Sequence, residues 1–180
     1  MSLRIKSEYL KVLQDLTMEG TPNILLVSIA EQEMYHQKDG KSVKTYVIST
    51  SLKPPSCREN SWGTPLGLHR VCEMIGGDQP LGMVYRARKP INCLYWECDV
   101  EMRKKNLITS RILRLEGLQP GLNNGEGIDT FDRFVYIHGT NHEEKLGTPS
   151  SSGCIQLSNQ DVIELAEGVP TGTHLFISEN

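Results

Sequence analysis

The chain has 180 residues, of which 38% are hydrophobic and 23% charged, and carries a formal net charge of −3. That length suits one domain with a sizeable core, and the composition is that of a folded chain rather than a disordered one. The slight acidity speaks against a nucleic-acid-binding surface, which needs a basic face, and no apolar run reaches membrane-spanning length. No signal-peptide pattern opens the chain, and Met1 to Leu3 leave open a cloning scar with the natural start elsewhere.

Ser7 to Met18 sets Leu10, Val12, Leu13 and Leu16 at helical spacing, with Ser7 as the N-cap candidate and Gly20 and Pro22 as stops. This predicts a helical extension over 1–20 ahead of a domain over 21–180. Asn23 to Ala30 and Ser42 to Ser49 are β-rich and predict a hairpin, with its turn at Asp39-Gly40. Ser51 to Trp62, with Pro54 and Pro55, reads as a loop. Gly63-Thr64-Pro65-Leu66-Gly67 then makes a rigid turn into a strand over Leu68 to Met74. His69, with nothing nearby in sequence to activate it, is assigned to structure. Further strands are predicted over Gly82 to Arg88 and Asn92 to Cys98, separated by Lys89-Pro90, with Tyr95 and Trp96 as core aromatics. Ile108 to Leu115 is another, its Arg111 and Arg114 read as solvated edges. Gly117 to Asp129, rich in Gly, Asn and Pro, is a long loop of the kind that is often functional.

The chemistry concentrates after that loop. Phe134 to Ile137 is aromatic and β-branched, a strand that delivers His138 at its exit. Cys154 follows Ser151-Ser152-Gly153, where little side-chain bulk permits a tight bend and close backbone approach. A thiol near an imidazole can give up its proton and attack as thiolate. Backbone N–H groups around Gly153 could face a developing oxyanion. The plain alternative is an inert, buried cysteine. Ser158 to Asp161 is a capping box opening a helix through Ala166, which Gly168 and Pro170 end, and Thr173 to Ser178 makes a last strand. The five cysteines contain no C-x-x-C pair, which argues against a zinc or thioredoxin-like site. Cys93 and Cys98 read as core residues, and spacing decides no disulfide.

The blocks His138-Gly139-Thr140, Gly147-Thr148-Pro149 and Ser151-Ser152-Gly153-Cys154-Ile155 resemble, in order and spacing, the L,D-transpeptidase catalytic domain of the YkuD family. The Thr64-Pro65-x-Gly67 block and Ser158-Asn159-x-Asp161 resemble it too, so that the likeness runs from about Asn23 to Ser178. It implies a mainly β, sandwich or barrel-like domain with a few short helices. The implied activity is acyl transfer on peptidoglycan stem peptides through a cysteine thioester, with no metal and no organic cofactor, in the periplasm or cell envelope. The resemblance gives Cys154 the nucleophile's role and His138 the base's, oriented by the Gly139 carbonyl. Ser151, Ser152 and Gly153 form the oxyanion turn, and Thr140 and Gln156 are substrate-binding candidates. A monomer is expected. Ser152 stands where many members have a second His, and Gln156 where many have Arg or Asn, so a fixed cation for a substrate carboxylate is missing at that position. Two alternatives stay open: a hydrolase that gives the same acyl-enzyme to water, and a non-catalytic wall-binding module.

Overall fold

A computed structural model describes residues 2–180 of the chain; the expectation of a cloning scar over Met1 to Leu3 lies partly outside them. Ten strands and three α-helices alternate as α1 (Ser2–Leu16), β1 (Asn23–Ser28), β2 (Glu33–Lys38), β3 (Lys41–Val47), β4 (Gly67–Ile75), β5 (Met83–Arg86), β6 (Lys89–Leu94), α2 (Val100–Arg103), β7 (Ile108–Gly117), β8 (Tyr136–Gly139), β9 (Ile155–Leu157), α3 (Asn159–Gly168) and β10 (His174–Ser178). The molecule is mainly β with few helices, as expected.

All ten strands belong to one sheet. β7 pairs β4 through residues 112–117 and β5 through 108–109, while β8 pairs residues 109–114. Because β8 overlaps both of the other segments, it must occupy the opposite edge of β7. A continuous path therefore runs β3-β2-β1-β10-β4-β7-β8-β9, with the β5–β6 hairpin attached at one end of β7. The path curls back on itself. Ser49, just after β3, exchanges both backbone hydrogen bonds with Gln156 of β9, at 3.0 and 2.8 Å.

Strand alternation sorts the side chains between the inside and outside of this curl. Leu25 and Val27 of β1, Leu113 and Leu115 of β7, Ile137 of β8 and Ile155 and Leu157 of β9 point inward, where Val162 and Leu165 of α3 complete the main core. Ile24, Leu26, Leu68 and Phe176 point outward and are covered by Ile5, Tyr9 and Leu13 of α1. Each such fully buried aliphatic side chain contributes about 1.5–3 kcal/mol through removal from water. A smaller cluster lies on the outer face of β7 and β8, where Met83 and Tyr85 of β5 cover Ile112 and Tyr136, with Leu94 and Cys154 packed against them. Among the described residues, no helix is long and apolar enough to cross a membrane.

Several sequence expectations move. α1 begins before Ser7, whose hydroxyl donates to the Leu3 carbonyl one turn back, so Ser7 is an interior residue rather than the N-cap. The Asp39-Gly40 turn exists, both residues having positive φ, but it joins β3 to β2, a strand absent from the prediction. β2 (Glu-Met-Tyr-His-Gln-Lys) was hidden because its inward His36 is polar; it is buried against the Asn23 side chain at 2.9 Å. The hairpin turn expected at Lys89-Pro90 is at Ala87-Arg88, both left-handed without Gly or Asn. Pro90 is tolerated inside β6 because that strand ends the sheet. Trp96 is 44% exposed rather than core. Arg111 is buried, donating to the Gln79 and Ser110 carbonyls at 2.8 Å each, and Arg114 stacks on Phe131 while pairing with Glu73, so neither is a solvated edge.

Candidate active site

The parallel pairing of β8 with β9 aligns Ile137 with Ile155 and His138 with Gln156. Since Ile137, Ile155 and Leu157 face the interior, alternation turns Tyr136, His138, Cys154 and Gln156 to the outer face together. The backbone pairing of two short strands thus brings residues 16 positions apart in sequence, His138 and Cys154, onto one surface.

β8 starts later than expected. Phe134 sits at φ +56° and is 53% exposed, so that the chain kinks there and enters the sheet at Tyr136. The kink aims two backbone groups at the thiol. Tyr136 N–H donates to Cys154 Sγ at 3.4 Å, and Cys154 S–H donates to the Phe134 carbonyl at 3.7 Å. Burial nevertheless dominates, raising the Cys154 pKa to about 11 against the smaller lowering pulls of Tyr136 N–H and the Arg133 charge. His138 is 3% exposed, and burial lowers its pKa to about 4, opposed by its bond to Gly139. The Gly139 carbonyl lies 2.8 Å from Nδ1. A carbonyl can only accept, so Nδ1 carries the hydrogen and the lone pair is left on Nε2. At neutral pH the resting groups are therefore a thiol and a neutral imidazole, not an ion pair.

The Ser151–Cys154 turn is pinned by its own side chain. Ser151 Oγ donates to the Cys154 carbonyl at 2.6 Å and accepts Gly153 N–H at 3.2 Å, while Ser151 N–H donates to the Thr50 carbonyl at 2.9 Å. Gly153 sits at φ +121°, a conformation that L side chains rarely adopt, so the bend itself favours glycine. The N–H groups of Ser152 and Cys154 have no acceptor among the described residues, and both residues line a cleft of about 290 Å³. Glu59, Trp62, Asp132, Arg133 and Phe134 form its walls. His138 does not line it. Thr140 and Gln156 are buried away from the cleft. Thr140 accepts His142 N–H at 3.1 Å, and Gln156 Oε1 accepts the Ser150 hydroxyl at 3.0 Å.

Two features carried no sequence signal of their own. Arg133 is held beside the cleft by the Ser56 and Gly63 carbonyls, at 2.9 and 2.8 Å, placing a fixed cation near Cys154. Asn159, read only as part of a capping box, uses all its amide capacity behind the histidine. Its Oδ1 accepts the hydroxyls of Thr109 (2.6 Å) and Ser110, and its Nδ2 donates to the Thr140 carbonyl (2.8 Å) and Glu143 (2.7 Å). These bonds brace a bulge in β7, where Ser110 takes φ +62° directly opposite the His138–Gly139 segment. Asn159→Ala is expected to destabilise the fold by about 2–4 kcal/mol, since it strands several buried polar groups. Urea denaturation checks this, and a loss below about 1 kcal/mol would remove Asn159 as the brace.

Known proteins resemble this chain in sequence and in fold. The family model for the YkuD L,D-transpeptidase catalytic domain matches residues 22–177. A Bacillus subtilis (strain 168) protein provisionally named as the L,D-transpeptidase YkuD is 52% identical over 42 residues, 23% of this chain and 26% of that one. Another from the same strain, provisionally named as the L,D-transpeptidase YqjB, is 41% identical over 51 residues, 28% of this chain and 29% of that one. The matched segment thus spans less than a third of either relative. Among solved structures, L,D-transpeptidase 3 from Mycobacterium tuberculosis in complex with a faropenem-derived adduct superposes with TM-score 0.55 at 16% identity, covering 90% of this chain and 62% of that one. An L,D-transpeptidase from Mycobacterium smegmatis gives 0.55 at 15% identity, covering 89% and 60%. At such identities the superpositions speak for the fold alone, but the family model covers nearly the whole curled sheet and both chemical blocks, and the chain belongs to the YkuD family of L,D-transpeptidase catalytic domains.

Proposed function

We propose that this chain is a cysteine-dependent L,D-transpeptidase that acts on peptidoglycan stem peptides in the cell envelope, with residues 21–180 as its catalytic domain. The observation that carries the reading is the placement of Cys154 at a cleft beside two unpaired N–H groups, with His138 on the same sheet face and its Nε2 lone pair free.

The reaction starts from the neutral pair. The scissile carbonyl enters the cleft, and the Cys154 S–H turns from the Phe134 carbonyl towards His138 Nε2. The imidazole takes the proton as Sγ attacks, acting as general base, while Gly139 holds the ring through Nδ1. The Ser152 and Cys154 N–H groups receive the oxyanion; Gly153 N–H, already given to Ser151, keeps the turn in shape. His138 then protonates the departing amine, leaving a Cys154 thioester. An incoming amine gives its proton back to His138 as it takes the acyl group. Arg133 supplies the nearby positive charge that Gln156 cannot.

Incubation of the purified protein with a disaccharide tetrapeptide, with and without an added D-amino acid, tests the reading by mass spectrometry of the products. Exchange of the terminal residue for the added amino acid is expected. Release of tripeptide alone, unaltered by the amino acid, would make water the acceptor and the protein a hydrolase. Intact substrate throughout would leave a binding module.

A further inference from the structure

The end of β6 and the turn that follows it hold a pair of sulfurs. Cys93 Sγ and Cys98 Sγ lie 2.9 Å apart, and both thiols converge on the Leu94 carbonyl, at 3.4 and 3.5 Å. Cys98 is buried and Cys93 is partly exposed. The other three sulfurs have backbone partners alone: Cys57 meets Leu66, Cys72 meets the Arg114 carbonyl, and Cys154 meets Tyr136 and Phe134. The turn between the pair is itself shaped by the backbone, with Tyr95 N–H donating to the Gly82 carbonyl at 2.9 Å and Glu97 N–H to the Leu94 carbonyl at 2.8 Å. Trp96 stacks so closely over Gly82 that a Cβ there would collide with the indole, and Leu94 reaches into the small cluster that also contains Tyr136 and Cys154.

We propose that Cys93 and Cys98 form a reversible disulfide, a redox site that staples the end of β6 into a closed turn and fixes the β5–β6 hairpin over the face bearing Cys154. Little rearrangement is needed, because the two side chains already meet and the turn between them is already hydrogen-bonded. With a small disulfide such as oxidised glutathione as oxidant, the partly exposed Cys93 thiolate attacks one of its sulfurs and expels a glutathione thiolate. Cys98 thiolate then attacks the Cys93 sulfur of the mixed disulfide and expels the second. The two protein thiols lose two protons and two electrons, and the oxidant becomes two glutathione molecules. Cys98 is buried and Cys93 is partly exposed, which makes Cys93 the entry point.

The test counts thiols and does not depend on any catalytic activity. The full chain is incubated with oxidised glutathione or with dithiothreitol, quenched in acid, denatured and labelled with a maleimide. Of the five cysteines, all are expected to label after reduction, and only Cys57, Cys72 and Cys154 after oxidation, with Cys93 and Cys98 linked in one peptide. Cys98→Ser should instead trap a mixed glutathione disulfide on Cys93. Five labels after oxidation, or a link to any other cysteine, would overturn the site. The staple is read separately as amide exchange over residues 83–98, expected to slow by about tenfold on oxidation. Unchanged exchange in a protein with the link in place would overturn the fixing of the hairpin.

Discussion

Cys154→Ala is expected to lower acyl transfer by at least about 10⁴-fold, since no neighbouring group can replace the attacking sulfur. The variant should also form no covalent adduct with a carbapenem or faropenem, whereas the native protein should gain one inhibitor mass, mapped to Cys154. The fold should survive. Cys154 is only partly buried and sits at the margin of its cluster, so the lost volume is small and the change in stability should stay within about 1 kcal/mol. The measurements are turnover, intact mass after inhibitor, and urea denaturation. Turnover retained in a folded Cys154→Ala protein would end the acyl-enzyme reading.

The second large effect concerns pH. With His138 neutral above about 4 and Cys154 protonated below about 11, the proposed catalytic pair is a thiol and a neutral imidazole across the whole neutral range. Alkylation of Cys154 by iodoacetamide, followed residue by residue, should therefore vary little between about pH 6 and 9 in the native protein, because the imidazole removes the proton as the bond forms. In His138→Ala the thiol must ionise unaided, so its rate should rise about tenfold per pH unit through that range. A native rate with the same steep rise would remove His138 from the chemistry.

The same burial makes acid destabilising. His138 and His69 are both buried neutral, with pKa values near 4 in the fold against 6.5 for the free side chain. The unfolded chain binds more protons between those values, so stability is complete above about 6.5 and falls as pH drops towards 4, by about 3 kcal/mol for each residue. His69 makes this a matter of architecture rather than catalysis. Its Nδ1 faces the Gly67 carbonyl at 3.0 Å and its Nε2 lies 3.1 Å from Thr130 Oγ1, tying β4 to the long loop before β8.

Much of this protein was legible as sequence because the information was local. The apolar run of β1, the Asp39-Gly40 turn, the Ser158 cap and the Gly153 bend each follow from the conformations that their own residues permit. His138 and Cys154 were legible through ordered blocks whose spacing survives in one dimension. What tertiary structure decided is what depends on register and enclosure. The curl closes through Ser49 and Gln156, which no local preference specifies. Parallel pairing of β8 with β9 selects the face that His138 and Cys154 share. Packing brings Arg133 to the cleft from another loop, turns Asn159 from a cap residue into a brace, and draws Cys93 and Cys98 together. It also keeps the resting pair neutral, because desolvation depends on what surrounds a group and not on which residues adjoin it in the chain.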